Sequence, residues 1–107
     1  MKVTKDNITS LKINDKIYIA RSFNTQLVLE YIGNTHSSFL KDHMIFSNGL
    51  DFKGISLNNP NYDWDLKNGQ IFTTLEECYE KMRELCLDTI DHYNSHQLKD
   101  NPIIVQK

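Results

Sequence analysis

The stretch from Gly69 to Asn94 constrains the fold most. Gln70-Ile71-Phe72 reads as a short strand, and Leu75, Cys78, Tyr79, Met82, Leu85, Cys86 and Ile90 then recur at three- and four-residue steps. That recurrence is the buried stripe of an amphipathic helix. Thr74 and Glu77 have capping-box spacing: the hydroxyl accepts an orphan amide of the first turn and the carboxylate reaches back to the cap. A helix is therefore expected over residues 74–94, and Asn101-Pro102 forbids its continuation. Covering such a stripe is worth about 1.5–3 kcal/mol for each of the larger side chains, before entropy. The residues ahead of the helix are strand-like, so the covering surface is expected to be a sheet.

Lys16-Ile17-Tyr18-Ile19-Ala20-Arg21 alternates cleanly, with Ile17 and Ile19 on one face and Tyr18 on the other. Gln26 to Ile32 is nearly continuous in apolar residues, which suits a central strand, and Gly33-Asn34 is expected to end it. Met44 to Ser47 and Leu50 to Lys53 flank Asn48-Gly49, a hairpin signal that favours a turn with φ > 0 at both central residues. Gly54 is expected as a bulge, with Ile55-Ser56-Leu57 continuing the strand. Asn58 to Asn61 reads as a loop, and Tyr62 to Leu66 as a short edge strand or an ordered loop. Residues 1–10 read as an edge strand or a loose arm, and Ile103-Ile104-Val105 as a last strand or a segment docked on the core.

The expected class is α+β: a strongly twisted antiparallel sheet or partly open small barrel of four to six strands, packed against one C-terminal amphipathic helix. At 107 residues the chain suits one domain, with the sheet over about 11–72, the helix over 74–94 and a tail over 95–107. A net charge of −2 disfavours a general nucleic-acid binder. Cys78 and Cys86 lie eight residues apart on the expected helix. That puts them about 12 Å apart along its axis, too far for a disulfide, so they read as reduced core residues of a cytoplasmic protein. No segment suits a signal peptide or a membrane span.

Ile13-Asn14-Asp15-Lys16-Ile17-Tyr18-Ile19 resembles the opening I-G-D-K-V-Y strand of many small phage and prophage proteins. Ile71-Phe72-Thr73-Thr74-Leu75-Glu76-Glu77-Cys78 resembles their closing V-F-x-T-K-E-E-A turn into a helix. The resemblance covers the order of elements over about residues 11–93 and implies a bent sheet or SH3-like barrel followed by one helix. Most such proteins have no assigned function, and both motifs are structural, so no functional residue carries over. Asn14 stands where glycine is usual, a residue that also tolerates the left-handed backbone, and Cys78 replaces alanine.

Several groupings can carry chemistry. Tyr18, Arg21, Phe23 and Lys53 can form an aromatic–basic patch on the outer sheet face, suited to a nucleotide, or simply a solvated strand face. In a strand, Asp63 and Asp65 would share one face and Tyr62 and Trp64 the other. An exposed Tyr-Trp pair can anchor a partner; a ring of this size more often plugs the core, leaving the aspartates in solvent. Glu76, Glu77, Glu80, Glu84, Asp88 and Asp91 make the helix's outer face acidic, which is either simply hydrated or steers a basic partner. Asp88, His92 and His96 recur at helical spacing and are the one candidate metal set, against the plainer reading of polar side chains at a helix end. His36, Ser37, Ser38 and His43 show no nucleophile motif.

The leading functional expectation is a small non-enzymatic interaction protein, phage- or mobile-element-encoded, that binds and modulates a host protein, with counter-defence as one role. An oligomer sequestering a nucleotide signal is the alternative, with Arg21, Lys53 and an aromatic side chain converging at a subunit interface. A small metal-dependent enzyme is the third. No cofactor is expected.

Overall fold

A computed structural model describes residues 1–22, 24–35 and 42–96, with side chains as far as residue 88. Phe23, His36, Ser37, Ser38 and the Ile103-Ile104-Val105 segment lie outside the described residues. Five strands form one open antiparallel sheet: β1 (Lys16–Ser22), β2 (Thr25–Thr35), β3 (His43–Ser47), β4 (Phe52–Ser56) and β5 (Ile71–Phe72). Their spatial order is β4-β3-β2-β1-β5. Two helices complete the fold, α1 (Trp64–Lys67) and α2 (Leu75–His96).

Local chemistry explains most of the sheet. The apolar run of β2 sits between β1 and β3, where both neighbours pair with it. Asn14 takes φ 80° at the tight turn before β1 and donates its amide to Tyr31 O at 2.8 Å. The Asn48-Gly49 hairpin is present but shifted by one residue. Asn48 pairs with Asp51, so Gly49 and Leu50 are the central residues and only Gly49 has positive φ. Glycine at the first central position is the II′ pattern, and it relieves Asn48 of any left-handed conformation. The Asn48 side chain instead accepts the Leu50 and Asp51 amides at 2.9 and 2.7 Å.

Two boundaries move. Gly33 does not end β2; it takes φ 122° at a register shift, and the strand continues to Thr35. Gly54 is not a bulge, for it pairs in register with Ile45. The stretch 62–66 is no edge strand either: a 3-10 turn over Pro60–Tyr62 leads into α1.

The sheet buries one face along its length and the other only at its β1–β5 end. On one lie Ile17, Ile19, Leu29, Tyr31, Met44, Phe46, Ile55 and Ile71, covered by Val3, Ile8 and Leu11 from the N-terminal segment and Leu66 from α1. Tyr31 and Phe46 meet with ring centroids 5.2 Å apart. The opposite face carries Ala20 and Phe72, on which Cys78 and Met82 of α2 pack, with Tyr18 and Leu85 at the margin. The helix thus covers the β1–β5 end of the sheet, and the larger core lies on the other side. The first ten residues are tied down, because Val3 N bonds Ile71 O at 2.8 Å and Thr73 N bonds Met1 O at 2.9 Å.

Candidate functional site

The segment that returns the chain from β4 to β5 crosses the main core face and carries the most unusual side chains. Asp63 is the N-cap of α1, its Oδ1 accepting the Leu66 amide at 3.0 Å. Its other oxygen accepts from Lys53 Nζ in a close ion pair. Asp65, two residues on, takes Lys53 Nζ at 3.0 Å and Arg21 Nη2 at 3.4 Å on the same Oδ2. The Asp65 side chain is 4% exposed and that of Lys53 13%. Two cations meet two carboxylates, so the cluster balances its charge, as ions withdrawn from water require.

That geometry puts Asp63 and Asp65 on the same side, as alternation in a strand would, although a helix start achieves it. The sequence does carry the helix-start signal: an N-capping aspartate, an acidic residue in the first turn and Lys67 in the last. The consequence is an inversion. Asp65 is buried and Asp63 largely so, whereas Tyr62 is 87% and Trp64 71% exposed. Trp64 therefore plugs neither the core nor the helix seam. Phe52, beside Lys53 in β4, is 70% exposed. Each of these three rings adjoins in sequence a residue of the ion cluster, so the cluster fixes the backbone that presents them.

The expected aromatic–basic patch separates. Arg21 and Lys53 do converge, but on Asp65 and on the main core face. Tyr18 faces the other way and packs at the margin of the α2 contact. With both cations already matched by carboxylates, little positive charge remains for a phosphate.

The acidic face of α2 is partly neutralised from within. The Met1 ammonium pairs with Glu77, Lys81 Nζ lies 3.4 Å from Glu84, and Arg83 Nη1 lies 3.7 Å from Glu80. Glu76 is exposed. Asp88 is exposed on α2, and the side chains of Asp91, His92 and His96 lie outside the described ones. No group of three potential metal ligands occurs among the described residues. Both cysteines are free, and burial pushes the Cys78 thiol up from its ordinary value, which suits packing over nucleophilic chemistry. No described helix is long and apolar enough to cross a membrane.

Comparison of the chain with family models, curated proteins and solved structures returned no match.

Proposed function

We propose that this chain is a non-enzymatic interaction protein that binds and modulates another protein through Tyr62 and Trp64. The observation that carries the reading is the exposure of two large aromatic side chains on a backbone pinned by buried ion pairs. Tyrosine, tryptophan and arginine dominate binding hot spots, and Arg21 sits half-exposed on the same cluster. Pinning matters energetically. Association costs conformational freedom, and an anchor on an already ordered segment loses less of it. The exposed rings contribute little packing within the described residues, so their placement on a fixed segment favours recognition over stability.

The resemblance of the Ile13–Ile19 and Ile71–Cys78 motifs to phage and prophage proteins supports a mobile-element origin. The proposed partner is accordingly a host protein met in the host cytoplasm, and counter-defence is the proposed role. A nucleotide-sequestering oligomer is the second reading; Arg21 and Lys53 do lie together as it requires, but Asp63 and Asp65 already match their charge, so it draws less support. A thermal-shift screen with linear and cyclic nucleotides tests it; stabilisation by one of them would displace the first reading.

The leading reading is tested by affinity capture from bacterial lysate with the wild-type chain and with Tyr62→Ala and Trp64→Ala. The wild type should retain a specific protein. Each substitution should weaken retention by about 2 kcal/mol, roughly 30-fold in affinity, with the fold unchanged. Failure to retain any specific protein, or equal retention by the doubly substituted chain, would overturn it.

A further inference from the structure

The outer edge of β4 is chemically unfinished. Hydrogen-bonded pairs alternate along an antiparallel ladder. Asn48 bonds Asp51 at one end of the β3–β4 pair and Leu57 bonds Asp42 at the other, at 3.1 and 2.9 Å. The register between them makes Phe46–Lys53 and Met44–Ile55 the other bonded pairs. The amides and carbonyls of Phe52, Gly54 and Ser56 therefore point away from β3. β4 ends the sheet, and no backbone hydrogen bond fills those positions among the described residues.

Edge strands are normally guarded by proline, by a bulge or by a lysine projecting from the edge. β4 contains no proline and pairs without a register shift. Its one charged residue, Lys53, is drawn into the cluster with Asp63 and Asp65 and balanced there. The usual repulsion between two identical edges is thus absent.

We propose that β4 is a homodimerisation edge, pairing antiparallel with β4 of a second copy of this chain about a two-fold axis at Gly54. The occupant is a second copy because the edge complements itself. Gly54 would face its own equivalent, where the missing side chains permit close approach. Phe52, 70% exposed, would lie opposite the small Ser56 of the other copy. Lys53 would lie opposite Ile55 of the other copy, so no two like charges are directly opposed. The three outward residues of each copy supply about six backbone hydrogen bonds in such a register. At one bond per 100–200 Å², that corresponds to roughly 600–1,200 Å² of buried surface, the low end for specific association. The dimer is accordingly weak, with a dissociation constant in the micromolar range. An axis perpendicular to the sheet keeps Tyr62 and Trp64 of both copies on one side of the joined sheet, so a partner meets them twice over.

Sedimentation equilibrium over roughly 1–500 µM protein tests this, a range that brackets micromolar association. The wild type should pass from monomer to dimer mass across that range. Ser56→Pro removes one outward amide without touching a bond to β3, and should weaken association at least about 10-fold. Phe52→Lys plants a solvated charge on the edge and should do the same, with little cost to a monomer in which Phe52 is already exposed. Circular dichroism reports folding, and if Ser56→Pro unfolds, Phe52→Lys decides. A wild type that stays monomeric throughout, or a dimer unaffected by the folded variants, overturns the proposal.

Discussion

Asn14 shows how one residue sets a boundary. At φ 80° its backbone is in the left-handed region, and its amide extends the β1–β2 ladder to Tyr31 O. Asparagine tolerates that conformation, glycine adopts it freely, and alanine resists it. Asn14→Ala should therefore cost about 1 kcal/mol and Asn14→Gly little or nothing, read as a lowered melting temperature for the first and an unchanged one for the second. Equal destabilisation by both would show that the Asn14 side chain, and not its backbone angle, matters there. Asp65 acts differently, because it is buried and charged. Asp65→Ala leaves Arg21 without its carboxylate and Lys53 with only Asp63. The expected loss is about 1–2 kcal/mol, because Lys53 keeps its pair with Asp63 and Arg21 is half-exposed to water. The triple substitution Lys53→Met, Asp63→Asn and Asp65→Leu removes both carboxylates with the cation they share, while the new amide oxygen at position 63 can still cap α1, and it should lose less than Asp65→Ala alone. Urea denaturation reads this as a smaller fall in midpoint at unchanged slope. A triple variant weaker than the single one would mean that the ion pairs are net stabilising.

At the scale of elements, α2 begins where the capping box places it. Glu77 N lies 3.4 Å from Thr74 Oγ1, and the hydroxyl donates to Glu77 Oε1 at 2.7 Å. Thr74→Ala should cost about 1 kcal/mol of stability. The Met1 ammonium, and then the Thr74 hydroxyl, hold the Glu77 carboxyl below its ordinary value of 4.5. A carboxyl lowered in the folded state stabilises fully above its unfolded value, and that contribution disappears as pH falls through the folded one. The helix start should thus weaken only below about pH 4.5, and only slightly because Glu77 is solvent-accessible. Stability profiles of wild type and Glu77→Gln should converge in acid and diverge above that point; parallel profiles would remove Glu77 from the cap. α1 makes the contrasting case. It is four residues long, too short to stand alone, and Asp63 and Leu66 hold it only because Lys53 and the core lie beneath.

Across the whole molecule, the two faces of the sheet differ in how much they bury. The larger core joins the N-terminal segment, all five strands and the α1 segment, whereas α2 is held by the smaller group of Ala20, Phe72, Cys78 and Met82. Unequal burial implies unequal opening free energies. Phe46→Ala should destabilise everything by about 3–5 kcal/mol. Met82→Ala should cost about 2–3 kcal/mol, accelerating amide exchange in α2 while leaving the β2 amides nearly as protected as before. Uniform acceleration across both elements would show that helix and sheet open as one unit.

What was readable from the residues alone was periodic or local. The alternation of β1, the apolar run of β2, the Asn-Gly hairpin and the Thr74–Glu77 cap each announce themselves within a few positions. The shift of the hairpin by one residue, the passage of β2 through Gly33 and the in-register Gly54 depend on cross-strand pairing, which no single strand encodes. Asp63 and Asp65 could be seen to share a side, but their burial depends on Lys53 and Arg21, brought to them by β4 and β1. Burial of those ions is what turns Tyr62 and Trp64 outward. Which face of the sheet the helix covers is likewise a long-range outcome: both faces carry apolar side chains, and with the N-terminal segment and α1 packed on one, α2 packs on the other.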